Sequence, residues 1–156
     1  MKKLFLILLA ISLSNCKNEL PKKDIAQIKK SNKKTTDSLN LEFINYKIDT
    51  LSGCHQIVSN NSEDLANNRA FYISNLTDFA IIKINGTKLY LQKDTINSIR
   101  ISDMIYKEIY ISKNYKTILD MQIYNNSEEF YRFKGTLQII SNKSNVKLKI
   151  KGEGGC

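Results

Sequence analysis

Residues 79–92 read Phe-Ala-Ile-Ile-Lys-Ile-Asn-Gly-Thr-Lys-Leu-Tyr-Leu-Gln. Ala80, Ile82 and Ile84 alternate with Phe79, Ile81 and Lys83; Asn85-Gly86 follows, and then Leu89 and Leu91 alternate with Lys88 and Tyr90. A period of two places each set on its own face of a strand. Asn-Gly between two such runs is the strongest local hairpin signal, because a type I′ turn needs positive φ at both central residues. The stretch predicts an antiparallel hairpin.

Toward the C-terminus, Val146, Leu148 and Ile150 alternate with Lys147, Lys149 and Lys151. That pattern predicts a second hairpin, 129–141 with 146–152, with one buried face and one lysine stripe. Short runs rich in Ile, Tyr, Phe, Leu and Thr, separated by Asn, Gly, Ser, Asp and Lys clusters, predict further strands at 42–50, 55–59, 69–75, 95–102, 104–112 and 117–124. The result is an all-β domain of about 8–10 strands over about 115 residues. So many strands must close or fold over one another to protect their edges, which predicts a small antiparallel barrel or sandwich. Periodicity alone leaves both open.

The chain has 156 residues, 42% hydrophobic and 25% charged, with a formal net charge of +9. That length suits one domain, and the composition is too apolar for a disordered chain. The charge is unevenly placed. Within residues 17–36, seven lysines (17, 22, 23, 29, 30, 33 and 34) stand against Glu19 and Asp24, whereas residues 37–156 hold 15 basic and 13 acidic side chains, a net of +2. The folded part lacks the basic excess of a nucleic-acid binder, and no nucleic-acid partner is expected.

The N-terminus begins with Lys2 and Lys3, continues with an apolar run from Leu4 to Leu13, and reaches Ser14, Asn15 and Cys16. This is the pattern of a secretory signal peptide over 1–15. Its apolar run is about half of the ~20 residues a transmembrane helix needs. Leu13-Ser14-Asn15-Cys16 resembles the lipobox of bacterial lipoproteins, although that family usually has Gly, Ala or Ser where Asn15 stands. An ordinary signal peptide with an incidental cysteine is the alternative. The resemblance implies cleavage before Cys16, a lipidated Cys16 thiol carrying acyl chains such as palmitate, and a place in the bacterial cell envelope. The implied location is the outer membrane, with the domain facing the periplasm or the surface and the membrane as a partner through the lipid. Residues 16–40 then form a basic tether, reaching roughly 25 to 30 Å as a coil, ahead of the β domain at 41–156. Its lysines suit anionic headgroups.

With Cys16 lipidated, Cys54 and Cys156 remain. An even remainder in an exported protein predicts one disulfide. It would pin a C-terminal strand that Gly152, Gly154 and Gly155 otherwise leave free to fray. Two other readings of these residues are a Cys54–His55 catalytic pair and a zinc site from Cys54, His55 and Cys156. Neighbours on a strand point to opposite faces, and the spacing lacks paired zinc ligands, so no metal is expected. His55, the sole histidine, reads as a surface or rim residue. The oxygen-rich stretch Asn60-Asn61-Ser62-Glu63-Asp64 with Asn67-Asn68 reads as a polar loop, with calcium contact as the alternative.

No nucleophile elbow, phosphate-binding glycine loop or His-Glu-x-x-His motif occurs. Glu128 with Glu129 and Asp103 with Glu108 are carboxylate pairs in sequence, and they leave a cell-wall or lipid hydrolase as an alternative. Tyrosines 106, 110, 115, 124 and 131 could supply a binding face, but tyrosines in a small β domain are more often simply half-buried. The expected function is therefore non-catalytic: a lipid-anchored envelope lipoprotein, without cofactor, that binds a protein or glycan partner near the membrane. Cys16, the pair Cys54 and Cys156, and the hairpin Ile84-Asn85-Gly86-Thr87-Lys88-Leu89-Tyr90 also resemble features of the membrane-bound inhibitors of c-type lysozyme. These are small lipoproteins with an antiparallel barrel and a disulfide joining the chain's start to its end. The family's inhibitory Ser-Gly loop has no counterpart here, so the resemblance implies lysozyme binding without assigning inhibitory residues.

Overall fold

The structure, a computed structural model, describes residues 39–47 and 53–156. The signal peptide, Cys16, the tether before Leu39 and the end of the strand expected at 42–50 lie outside the described residues.

The predicted hairpin is present. Strands β6 (Phe79–Ile84) and β7 (Thr87–Lys93) pair from Phe79↔Gln92 to Ile84↔Thr87. Asn85 and Gly86 take φ +49° and +80°, the two positive values a type I′ turn demands. The short strand β1 (Leu41–Glu42) lies along β6 and is fastened to this turn. Glu42 accepts from the Gly86 amide at 2.5 Å and pairs with Lys83 at 2.8 Å.

Ahead of this hairpin come β2 (Ile44–Asn45), β3 (His55–Ser59), helix α1 (Ser62–Ala66), β4 (Arg69–Ala70) and β5 (Tyr72–Ser74). After it come β8 (Ile99–Ser102), β9 (Ile105–Ile111), β10 (Tyr115–Asn126), β11 (Phe130–Ser141) and β12 (Asn145–Gly155). Eight strands, β3, β5, β6, β7, β9, β10, β11 and β12, pair antiparallel in chain order, and β12 returns to β3 to close a barrel. Closure leaves no edge in the ring, which decides the barrel over the sandwich. The closing seam runs from Lys151↔Ser59 to Gly155↔His55. At its end Cys54 and Cys156 form the expected disulfide, across a sequence separation of 102.

Alternation sorts the barrel wall into inner and outer faces. The interior holds Val58, Tyr72, Ala80, Ile82, Ile84, Leu91, Tyr110, Leu119, Met121, Phe133, Leu137, Ile139 and Ile150. Each large apolar side chain withdrawn from water contributes about 1.5–3 kcal/mol. Lys147, Lys149 and Lys151 line the outside, as predicted.

Outside the wall, Ile57 and Ile73 would face water on a bare barrel. A flap made of β2, β4 and α1 covers them with Ile44, Tyr46, Leu65 and Ala70, making a second small core. The polar stretch at 60–64 is thus not a plain loop. Asn61 caps α1 by accepting from the Asp64 amide at 2.8 Å, and Leu65 points into the flap.

The C-terminal glycines are ordered β12 residues, and their value is space. Gly152 faces Phe133 and Gly154 faces Tyr131 across the β11–β12 ladder. A Cβ at either position would overlap the ring opposite. Rings laid over bare backbone replace the packing a glycine strand lacks.

Candidate functional site

One end of the barrel gathers the β5–β6, β8–β9 and β10–β11 turns and the disulfide. It opens into a cavity of about 500 Å³ lined by Leu76, Arg100, Asp103, Met104, Tyr106, Glu108, Met121, Ile123, Asn126 and Tyr131. Volumes of about 300–1,000 Å³ are usual for small-molecule sites, and barrel mouths are a favoured location.

Strand parity builds the floor. On β7, Lys93 follows Leu89 and Leu91 on the inner face; on β9, Glu108 stands between the inward Tyr106 and Tyr110. Lys93 Nζ meets Glu108 Oε1 at 3.1 Å, with the side chains 17% and 12% exposed. Lys93 Nζ also donates to the Leu76 carbonyl at 2.6 Å. Leu76 has φ +65°, a left-handed conformation that costs an L-residue about 1–2 kcal/mol. Asn75 secures this turn by accepting from the amides of Asp78 and Phe79, both at 2.9 Å. Backbone strain of this kind concentrates at functional sites.

The remaining carboxylate oxygen, Glu108 Oε2, is buried with no hydrogen-bond partner among the described residues, and the same holds for Tyr72 Oη and Tyr110 Oη. The two rings meet edge to face at 5.8 Å beneath the mouth. Burial, followed by the neighbouring ionisable groups, holds the phenols of Tyr72 and Tyr110 well above the usual tyrosine range. Tyr131 is pushed up to about 12, first by burial and then by the Glu108 charge. These phenols are neutral groups at physiological pH. Gln56 ties the floor together, donating to Tyr131 Oη at 3.4 Å and accepting from Ser74 Oγ at 3.4 Å.

A β-bulge shapes the rim. Register shifts between Ile123↔Phe133 and Asn125↔Arg132, leaving Tyr124 as the extra residue. The shift brings Asn126 opposite the inward-facing Tyr131, where an unbroken ladder would have put Asn125. Across the mouth, Arg100 pairs with Asp103 at 2.5 Å. The neighbouring β8–β9 hairpin exposes Ile99, Ile101, Met104 and Ile105.

The sequence candidates divide around this geometry. Asp103 and Glu108 do line one cavity, each already paired with a cation. Glu128 and Glu129 lie outside its lining. Tyr106 and Tyr131 wall the mouth, Tyr110 is buried below, Tyr115 lines the opposite end of the barrel, and Tyr124 is exposed outside. The Cys54 and Cys156 sulfurs are bonded to each other, so neither is the nucleophile or zinc ligand of the alternative readings. His55 sits partly exposed at the seam, its Nδ1 3.1 Å from the Gly53 carbonyl oxygen. In the 60–64 stretch, Asp64 is occupied by Arg69 at 3.4 Å and Asn61 at 2.8 Å. Sequence reasoning did not single out Lys93, Gln56, Ser74, Arg100 or Asn126. The signal for Lys93 was its parity with Leu89 and Leu91.

A wider groove of about 590 Å³ crosses the wall near Ile101, Ile105, Asp120, Lys134 and Lys149. The three unpartnered buried polar atoms among the described residues lie at the mouth and beneath it instead. No protein family, curated protein or solved structure matches this chain.

Proposed function

We propose that this protein is a non-catalytic lipoprotein of the bacterial envelope, anchored in the outer membrane through acylated Cys16, that binds a glycan or protein partner at its barrel mouth. The observation that carries the reading is the roughly 500 Å³ cavity at that mouth, lined by Asp103, Glu108, Asn126 and Tyr131. Leu39 and Leu41 pack against the core at the opposite end, beside the Asn85–Gly86 turn.

Crosslinking and pull-down of the native protein from bacterial envelopes, with mass spectrometry of bait and eluate, tests this proposal. The expected bait carries acyl chains on Cys16, and Cys16→Ser releases the domain from the membrane fraction. The expected partner is lost when the mouth is altered by Asn126→Leu. An unacylated bait, or a partner indifferent to the mouth, overturns it.

A second reading, an inhibitor of c-type lysozyme, is supported by the closed barrel and the Cys54–Cys156 bridge that the family resemblance implies. It requires lysozyme binding at micromolar concentration and falls without it.

A further inference from the structure

We propose, resting on the binding role above, that the mouth takes an uncharged sugar: one or two rings at the end of a glycan. Three features of the cavity converge on this chemistry.

The first is charge. Both carboxylates at the mouth are already compensated, Glu108 by Lys93 and Asp103 by Arg100. A charged ligand of either sign would add an uncompensated charge beside the mostly buried Lys93–Glu108 pair. A neutral ligand leaves both pairs intact.

The second is hydrogen-bonding demand. The Asn126 amide and the neutral Tyr131 phenol in the cavity lining offer both donor and acceptor capacity, beside the Glu108 carboxylate, which offers acceptors alone. A polyol hydroxyl both donates and accepts, so neighbouring hydroxyls on one ring can serve these groups together.

The third is shape. Tyr106 and Tyr131 supply ring surfaces, and Met121, Ile123 and Leu76 supply apolar walls for the C–H faces of a sugar. An alkyl chain has no channel to follow, because Tyr72, Tyr110, Leu91, Leu119 and Phe133 fill the barrel beneath and are fully buried. The mouth is a cup of mixed polar and apolar lining on a packed barrel, unlike the hollow interior of a lipid carrier.

The test is titration of the isotope-labelled chain, observed by amide NMR, with N,N′-diacetylchitobiose, maltose and cellobiose as neutral probes. N-acetylneuraminic acid, chitosan dimer and decanol serve as anionic, cationic and alkyl probes. At least one neutral disaccharide is expected to shift the amides of Tyr106, Glu108, Asn126 and Tyr131 at millimolar concentration or below, and the other classes to leave them unmoved. Glu108→Gln should weaken that binding about tenfold. Because this variant disturbs Lys93 and could unfold the chain, Asn126→Leu at the exposed rim is the second variant, with a loss of similar size expected. The inference is overturned if no neutral probe moves the mouth amides, or if a charged or alkyl probe binds there instead. Capture of an envelope protein that is lost in Asn126→Leu, with no saccharide binding, would remove the sugar and leave the binding role standing. If envelope capture also yields nothing that depends on the mouth, the role falls with it.

Discussion

The two ends of the barrel interior are built from opposite chemistry. Toward the Asn85–Gly86 turn, Ile82, Ile84, Leu137 and Ile139 pack against one another, with Leu39, Leu41, Leu89 and Leu148 filling the edges. Toward the disulfide, the same inward positions carry Ser74, Gln56, Lys93, Glu108 and Tyr131. Polar groups in a barrel end cost desolvation, and Glu108 Oε2, with the Oη atoms of Tyr72 and Tyr110 beneath, recovers none of it through hydrogen bonds among the described residues. The contrast places apolar packing at one end, while the other end is closed by a covalent bond. A mouth that gathers unpartnered polar atoms is held in shape by the seam, where the bridge between Cys54 and Cys156 sits.

The largest effect should follow loss of that bridge. Closing a loop of 102 residues is worth up to about 4.7 kcal/mol in the chain-entropy account. The double variant Cys54→Ser/Cys156→Ser should lower the urea midpoint accordingly, with hydrogen exchange rising first in 55–59 and 151–155. Uniform exchange along the barrel would break the contrast between its ends. At the apolar end, Leu137 is fully buried, and Leu137→Ala should cost about 2–5 kcal/mol by equilibrium unfolding. A cost below about 1 kcal/mol would show that this end is not where stability lies.

Gly152→Ala sharpens the comparison from the mouth side. The added methyl overlaps the Phe133 ring, which is wholly buried, so a cost of about 1–3 kcal/mol is expected. Phe133→Leu should relieve part of it, and a double-mutant cycle without coupling would deny that the glycine exists to seat the ring.

This pairing shows what could be read from sequence and what could not. Asn85-Gly86 fixed its hairpin because the signal is local: two residues, two positive φ values. The lysine stripe 147–151 was legible for the same reason, as was the disulfide, through cysteine arithmetic. Gly152 and Gly154 read as a fraying tail because their meaning lies across the ladder, on Phe133 and Tyr131. The one-turn helix α1 was hidden in an asparagine-rich stretch, its single apolar anchor Leu65 too sparse to give a period. At the mouth, Asp103 and Glu108 were visible as carboxylates, but nothing local paired them with Arg100 and Lys93. Asn126 faces the cavity because of a bulge at Tyr124, which no alternation pattern announces.

Alkaline titration probes the buried phenols directly. Burial raises Tyr72 and Tyr110, and raises Tyr46 and Tyr131 to about 12, whereas an unfolded tyrosine ionises near 10. Above about pH 10 the unfolded chain therefore holds fewer protons than the folded one. Stability is fully present below that pH and falls as pH rises toward 12, by up to about 1.4 kcal/mol per unit for each phenol. Phenolate absorbance should show these four tyrosines protonated in the folded protein at pH 11, and their ionisation there without unfolding would contradict their burial.

The smallest expected change is the most informative. Removing one partner of the pair, as in Glu108→Leu, strands Lys93 in a site where it is only 17% exposed, and should cost about 3 kcal/mol. Removing both, as Lys93→Met/Glu108→Leu, extends the apolar lining of Leu89 and Leu91 to the mouth. Because desolvation consumes most of what a buried pair gains, the double variant should unfold within about 1 kcal/mol of the parent, or later. That outcome would mean the ion pair is not kept for stability, and the same variant should then lose ligand at the mouth while its apolar end is unaltered. A double variant as unstable as Glu108→Leu alone would instead make Lys93 and Glu108 part of the framework, and the two ends of the barrel would differ in composition but not in purpose.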